Sequence, residues 1–547
     1  MESYIHLYKT NDKFTEAYNG PDYKEPWLSL TEENMEVNYN KPKLTAITFD
    51  NITWVTDVPA TGGTATKDNC TFKVYGNYDN GTSVDISTIV TVEGELVVEP
   101  STEGQRHEAG QLTLTAKYSG FTATGNVTAY QAAVDFSAEP LTFNILSPGT
   151  ISWVASNTAS KKTIDYNLND GDWTSITSNT EGIKITVNHG DKIQFRGDNT
   201  AYCGDNPDLC STFSGSTAEF EVEGNIMSLI NSTNFTTATT LESNFTFGGL
   251  FGDCTGLTSA ENLILPATTL AIGCYFTMFD GCTSLTTAPK LPATTLAMGR
   301  YVSMFQGCTK LTTAPALPVT SLAMLCYQYM FQGCSSLTSA PELPATALTE
   351  ACYVSMFNGC TKLTTAPALP ATTLATSCYQ SMFQNCTSLT KAPALPATIL
   401  TQGCYSSMFN GCTSLTTAPE LPATTLAMNC YSSMFDGCTR LTTAPKLPAT
   451  ILDPDCYSGM FNGCTRLTTA PELPATTLPE NCYASMFNGC TSLNYIKCLA
   501  TDVSAKNCTY NWVNGVASRG TFVKAPSMTS WPTGKSGIPT GWTAQDA

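Results

Sequence analysis

A cysteine recurs every 26 residues through the second half of the chain: Cys282, Cys308, Cys334, Cys360, Cys386, Cys412, Cys438, Cys464 and Cys490. Cys254 stands 28 residues ahead of the series, with a small insertion at ENLIL. A second series holds Cys274, Cys326, Cys352, Cys378, Cys404, Cys430, Cys456, Cys482 and Cys508, and Arg300 fills its one vacancy. Between these markers the text barely changes. CYSSMFNGCTSLTTAPELPATTLAMN is followed at once by CYSSMFDGCTRLTTAPKLPATILDPD. A fixed period of this length predicts one small unit that cannot bury its apolar side alone and stacks on its neighbours. At about 4.7–4.9 Å per coil, ten or so coils predict a solenoid roughly 50 Å long.

Within a unit, Cys404, Met408 and Cys412 fall at i, i+4 and i+8, which predicts a short helix ending at Gly411. Leu415, Ala418 and Leu421 follow, broken by Pro419 and Pro422, so only a very short strand is expected there. The phrase MFNGCTSL resembles the bacterial leucine-rich repeats of the BspA-like kind, over about 254–523. That resemblance implies a right-handed leucine-rich-repeat-type solenoid of short strands and short helices, with Phe, Cys and Leu pointing inward. The period is longer than the family's commonest one, and the extra residues sit around APELPAT.

Cysteine is a small, readily buried hydrophobe, so the two series read as ladders of buried thiols. Disulfides between the series are the rival reading; Arg300 opposes it, because it leaves Cys308 without a partner, as Thr246 does Cys254. Zinc is disfavoured by the absence of C-x-x-C and by having only His6, His107 and His189. Threonine pairs such as Thr286 and Thr287, or Thr416 and Thr417, read either as a wet extended surface or as a glycan-facing one. Variation concentrates at a few letters, which makes Lys290, Glu342, Glu420, Lys446, Glu472, Gln328 and Gln380 the candidate partner-facing positions. The tail after Val516 loses the period and reads as a terminal cap.

Five regions are expected: an arm at 1–44, an all-β domain at 45–133, a second at 134–228, the solenoid at 229–523 and a cap at 524–547. QLTLTAKYSG alternates Leu112, Leu114, Ala116 and Tyr118, and CTFKVYGNY alternates Phe72 and Val74. With turn clusters such as ATGG and YDNGTS between them, 45–133 resembles a bacterial immunoglobulin-like domain. In the second β region, Ile183, Ile185 and Val187 face Ile193 and Phe195 around NHGD. CGDNPDLC (203–210) reads as a plain surface loop, with calcium or a disulfide as alternatives. The opening YNGPDYKEPWLSLTEENMEVNYNK resembles the first segments of virion structural proteins from tailed phages of gut Bacteroidales. That resemblance implies that Tyr23, Pro26, Trp27, Tyr39, Asn40 and Lys41 dock onto a particle; otherwise these aromatics pack a first strand on the sandwich.

The formal net charge is −18. Residues 1–253 carry 33 acidic and 14 basic residues, whereas 254–490 carry ten and eight. With no basic stripe legible, nucleic acid is not an expected partner. No apolar run approaches 18 residues, so no membrane insertion is expected. MESYIHLYKTND lacks a basic segment followed by an apolar one, so the chain is expected to fold in a cytoplasm. No Walker loop, G-x-S-x-G, H-E-x-x-H or Rossmann fingerprint is present, and no cofactor, metal or catalytic residue is expected. The expectation is a non-enzymatic phage virion accessory protein, a head or tail fibre or decoration. It would attach to capsid, portal or tail proteins by its N-terminus, form a homo-oligomer, and present the solenoid to host polysaccharide or protein. A bacterial cell-surface adhesin is the alternative, and an accessory module of a carbohydrate-active enzyme the second.

Overall fold

The computed structural model describes residues 42–547 except 61, 100, 102–106, 133–134, 201, 204–205, 207–208 and 292–297. The six candidate docking residues from Tyr23 to Lys41 lie outside the described residues. Two compact units divide the chain, at Met1–Asp135 and Phe136–Ala547.

In the first unit, β1 (Leu44–Trp54), β3 (Cys70–Tyr78) and β4 (Ser83–Asp85) form one antiparallel sheet. Strands β5 (Thr91–Glu93), β7 (His107–Tyr118) and β8 (Phe121–Gln131) form another, and β2 (Gly63–Thr66) pairs with β6 (Glu95–Val98). The alternation read in β7 has a physical counterpart: Leu112, Leu114 and Ala116 are fully buried, and Val74 of β3 joins them in the interior. This unit is all β, and its single Cys70 is a free, half-buried thiol.

The second unit opens with a two-sheet region. One sheet orders β13 (Ile183–Val187), β10 (Gly149–Ala155) and β15 (Ser211–Thr212). The other orders β12 (Thr174–Thr177), β11 (Thr163–Leu168), β14 (Lys192–Arg196), β9 (Leu141–Ile145), β16 (Phe220–Asn225) and β18 (Leu257–Ile264). β13 and β14 flank the NHGD turn but belong to different sheets, so their apolar residues meet across the core rather than side by side.

The expected boundary at 228 does not separate two cores. β16 runs parallel to β18, and Ser259 of β18 bridges Thr287 of the next coil. Phe213 stacks on Phe251, which stacks on Phe279, so one hydrophobic cluster runs from Leu141 to Trp542. The first coils also hold β17 (Thr240–Leu241), paired in parallel with β19 (Thr269–Leu270). At the far end, β20 (Tyr495–Cys498), β21 (Thr521–Lys524) and β22 (Thr543–Asp546) form a parallel sheet. Trp512 lies against both Tyr483 and Trp531, so indoles close the end of the ring stack, as an atypical terminal unit must.

The expected helix in each coil is absent; among the described residues the only helices are 3-10 turns at Lys67–Asn69, Ile226–Leu229 and Phe235–Thr237. Residues 403–412 form a ribbon of successive β-turns instead. Amides of Ser406, Met408, Asn410 and Cys412 donate to carbonyls three residues back, at 3.1–3.2 Å. The intervening amides of Gly403, Tyr405, Ser407, Phe409 and Gly411 donate to carbonyls of the following coil, at 2.7–3.0 Å. Every backbone donor of the ribbon is thus used, alternately within and between coils. Positive φ recurs every fourth residue, at Gly403 (61°), Ser407 (54°) and Gly411 (73°), as the third position of a type II turn requires. A helix could not serve here. Helices pack 8–10 Å apart, whereas successive tyrosine rings lie 5.9 Å apart at Tyr405 and Tyr431.

Candidate binding face of the coils

The turn ribbon points side chains inward in pairs. Tyr405 and Phe409 head two parallel ring stacks; Phe409 and Phe435 lie 5.7 Å apart at 8°. Cys404, Met408 and Cys412 are fully buried beside them. The Cys412 thiol donates to the Phe383 carbonyl at 3.1 Å, and the same 29-residue contact recurs from Cys308 to Cys490. Each phenylalanine carbonyl so bonded also takes an amide three residues on, as Phe383 takes that of Cys386. These cysteines are therefore buried donors as well as packing groups. Burial holds the thiols in their neutral form: Cys352 and Cys404 are pushed up to about 11 and Cys412 to about 12, despite hydrogen bonds that oppose the shift.

Cys203 and Cys210 form a disulfide, the alternative rather than the first reading of CGDNPDLC. The remaining 21 cysteines are free thiols. Arg300 occupies its cysteine position as a buried side chain that donates to the Leu270 carbonyl.

From Thr413 the chain runs extended and alternates. Pro419, Leu421 and Ala423 turn inward, while Glu420, Pro422 and Thr424 turn out. Stacking makes each outward letter a column. The column of Thr424 holds threonine in Thr320, Thr346, Thr372, Thr398, Thr450 and Thr476, all exposed. The column of Glu420 is the variable one, and it brings together Lys290, Glu342, Glu420, Lys446 and Glu472 of the sequence candidates, all exposed. Glu472 is already engaged by Lys497 at 2.9 Å. Gln328 and Gln380 do not join them: they lie half-buried on the turn ribbon.

Across this outward surface lie two shallow clefts. One, of about 460 Å³, is lined by Lys391, Pro393, Pro396, Thr417, Glu420 and Pro422 among others. Its neighbour, of about 450 Å³, includes Thr364, Thr365, Pro367 and Pro370 and shares Lys391, Pro393 and Pro396. Together they span three coils. Hydroxyl, proline and one variable side chain repeat along them with the coil. Part of the threonine chemistry is structural, because Thr416 and Thr338 donate to carbonyls of the preceding coil at 3.3 and 3.4 Å. The pairs still present methyl groups and acceptor oxygens outward.

One feature escaped the sequence reading. Lys310, Lys362, Arg440 and Arg466 occupy a single exposed column, two residues past the second cysteine of their coils. They stand 26, 52 or 78 residues apart, so no local charge run announces them. Among the described residues, no group of three or more His, Cys, Asp or Glu is placed to hold a metal ion, and no helix is long and apolar enough to cross a membrane.

Residues 250–390, 326–468 and 376–512 match the family described as the BspA type leucine rich repeat region, in six copies. No curated protein matches the chain.

Proposed function

From a repeat region made of BspA-type leucine-rich repeats, we propose that the chain is a non-enzymatic adhesive protein whose extended-run face holds a repeating polymer, host-surface or gut polysaccharide. The observation that carries this reading is the pair of joined clefts over 364–422, where threonine hydroxyls and proline rings recur with the coil and Lys391 stands between Thr365 and Thr417. A polymer whose own units repeat meets the same contacts in several coils at once, and many weak contacts add through avidity. Individual contacts are shallow, so a single sugar is held weakly and a chain firmly.

The proposed carrier is a phage particle. An arm at 1–44 fixes the protein to capsid, portal or tail, an immunoglobulin-like domain at 45–133 is the spacer, and copies leave the host cytoplasm with the virion. The same coils serve equally well on a bacterial cell surface. Mass spectrometry of purified virions and of outer-membrane fractions separates the two: recovery with the membranes and absence from particles ends the virion reading. Binding itself is tested with a panel of soluble polysaccharides titrated against the full chain. Lys391→Glu together with Pro396→Glu is expected to lower affinity for the bound polymer at least tenfold, and an unchanged affinity removes the clefts from the account.

A further inference from the structure

The outer side of the turn ribbon is a second repeating face, distinct from the clefts. Outward positions recur every four residues, so the columns of residues 402, 406, 410 and 414 lie side by side. The middle columns are short over residues 406–462, with Ser406, Ser432, Ser458, Asn410 and Asn462, and longer one to three coils earlier, with Gln328, Val354, Gln380 and Gln384. The two edges carry opposite charge. The column of residue 414 holds Lys310, Lys362, Arg440 and Arg466 and no acid. On the opposite edge the column of residue 402 holds Glu350 and Glu480, with Lys506 beyond them, and Asp453 and Asp455 flank Pro454 of the same column. Charges of opposite sign fall within single coils: Glu350 with Lys362, and Asp453 and Asp455 with Arg466. The full width of the face separates them, and none of these five takes part in an ion pair among the described residues. Glu480 alone on the acidic edge is engaged, by Lys506 at 2.7 Å.

We propose that this face pairs with the same face of a second copy, the two solenoids running in the same direction about a two-fold axis parallel to the coil stack. Rotation about that axis lays the acidic edge of one copy opposite the basic edge of the other at equal coil height. Glu350 then meets the partner's Lys362, and Asp453 meets the partner's Arg466, each contact occurring twice as a two-fold interface requires. An antiparallel pairing would set acid on acid and base on base along both edges. The coils that carry Lys310 and Arg440 show the same logic in apolar form. At those heights the opposite edge holds Met298 and Met428, both about two-fifths exposed, against which the stems of long basic side chains pack. Serine and asparagine in the middle columns allow close approach over the coils from Ser406 to Asn462, next to the Asp453 and Arg466 contact. Exposed ion pairs are individually weak, so register comes from their pattern and strength from the length of the strip. The inference stands independently of what the extended face binds.

The test uses the full chain and charge exchange. Wild type is expected to sediment as two chains at low salt and to dissociate as salt rises. Variant Lys362→Glu/Arg466→Glu has two acidic edges, and variant Glu350→Lys/Asp453→Lys has two basic edges. Each alone is expected to associate at least tenfold more weakly than wild type, with an unchanged denaturation midpoint. Mixed in equal amounts they are expected to recover a one-to-one pair, a result that loss of folding cannot produce. Carbodiimide coupling between isotopically distinct chains is expected to join Glu350 to Lys362. A wild-type chain that stays single up to roughly 0.1 mM, or a mixture that stays apart, overturns the proposal. So do cross-links between coils of unequal height, such as Lys310 to Glu480. If wild type pairs only when polygalacturonate is added, the basic column serves an anionic polymer instead.

Discussion

The two halves of each coil differ in how they are held. In residues 403–412 every amide is bonded, the side chains form unbroken ring and thiol ladders, and positive φ falls at fixed places. In residues 413–428 the coils touch through single parallel bridges such as Thr417 with Thr443 and Thr425 with Ile451. Pro419 and Pro422 cannot donate at all. The prolines also keep the extended run from becoming a long, flat parallel sheet, the kind of surface that recruits stray strands. The contrast teaches where change is tolerated. Letters vary at residues 420 and 425 and near 402 on the loosely tied half, and on the ribbon at the outward column of Val354, Gln380 and Ser406, but hardly at all at the inward Tyr405, Met408, Phe409 and Cys412.

The harshest way to break the comparison is alkali, because both thiol ladders and the tyrosine stack belong to the turn ribbon. Cys352 and Cys404, held neutral up to about 11, have an unfolded value near 8.5. A raised folded value means the stabilisation is complete below the unfolded one and is lost as pH climbs through 11. With two such columns, the coils are expected to unfold between about pH 9 and 11. Residues 42–135, whose single cysteine is Cys70, should outlast them. Hydrogen exchange followed by mass spectrometry reads the two regions separately, and coils still protected at pH 11 contradict the ladder picture.

Next comes truncation. Phe409→Ala opens the middle of a ring stack and is expected to cost about 3–5 kcal/mol. Pro422→Ala, on the exposed side of the loose half, should cost less than about 0.5 kcal/mol. Denaturant midpoints of the two variants give the ratio directly.

Backbone strain supplies a smaller, two-signed test. Gly437 has φ +72° with the Gly411 backbone against the place a Cβ would take, so Gly437→Ala should destabilise by about 1–2 kcal/mol. Leu325 and Tyr329 adopt the same left-handed region without being glycine, at φ 61° and 58°. Leu325→Gly is expected to stabilise by about 1 kcal/mol, a gain visible as a raised thermal midpoint.

The smallest effect concerns Asp280, on the ribbon's outer column. Burial, with the nearby Asp253 carboxylate, pushes it up to about 6. Its contribution is therefore complete below about 3.9 and is lost as pH rises through 6. In the later coils from Gln306 to Asn488 this column carries amides except at Asp436, linked for instance from Asn488 to Asn462 and from Asn462 to Asp436. Asp280→Asn should gain a few tenths of a kcal/mol at pH 7.5 and nothing at pH 4, since the site is half open to solvent. Melting at the two pH values checks it.

Much of the stacked architecture is legible in the text because period and burial coincide: Cys404, Met408, Cys412, Leu415 and Leu421 all point in, as their spacing implies. The ribbon is not legible in one unit. Residues 404, 405, 408, 409 and 412 would also make a helical stripe, and Ser407 tolerates either conformation. What decides is the spacing between coils, which a helix exceeds, and that appears only when units are stacked. The basic column was hidden for the same reason. Its members become neighbours through stacking, whereas sequence patterns are sought within a window. CGDNPDLC misled differently: a chain full of thiols suggests that none are paired, yet Cys203 and Cys210 sit close enough to join, with Cα atoms 4.4 Å apart.

The bond from each first-series thiol, Cys308 to Cys490, to the preceding coil has a consequence for length. Donor and acceptor come from adjacent coils, and every central coil offers the same pair. Removing or adding one 26-residue unit there closes the same contacts again, so the number of coils is set by the terminal caps alone. Reach then changes in steps of about 4.8 Å. The molecule can be read as a gauge, adjustable one notch at a time without redesigning any joint.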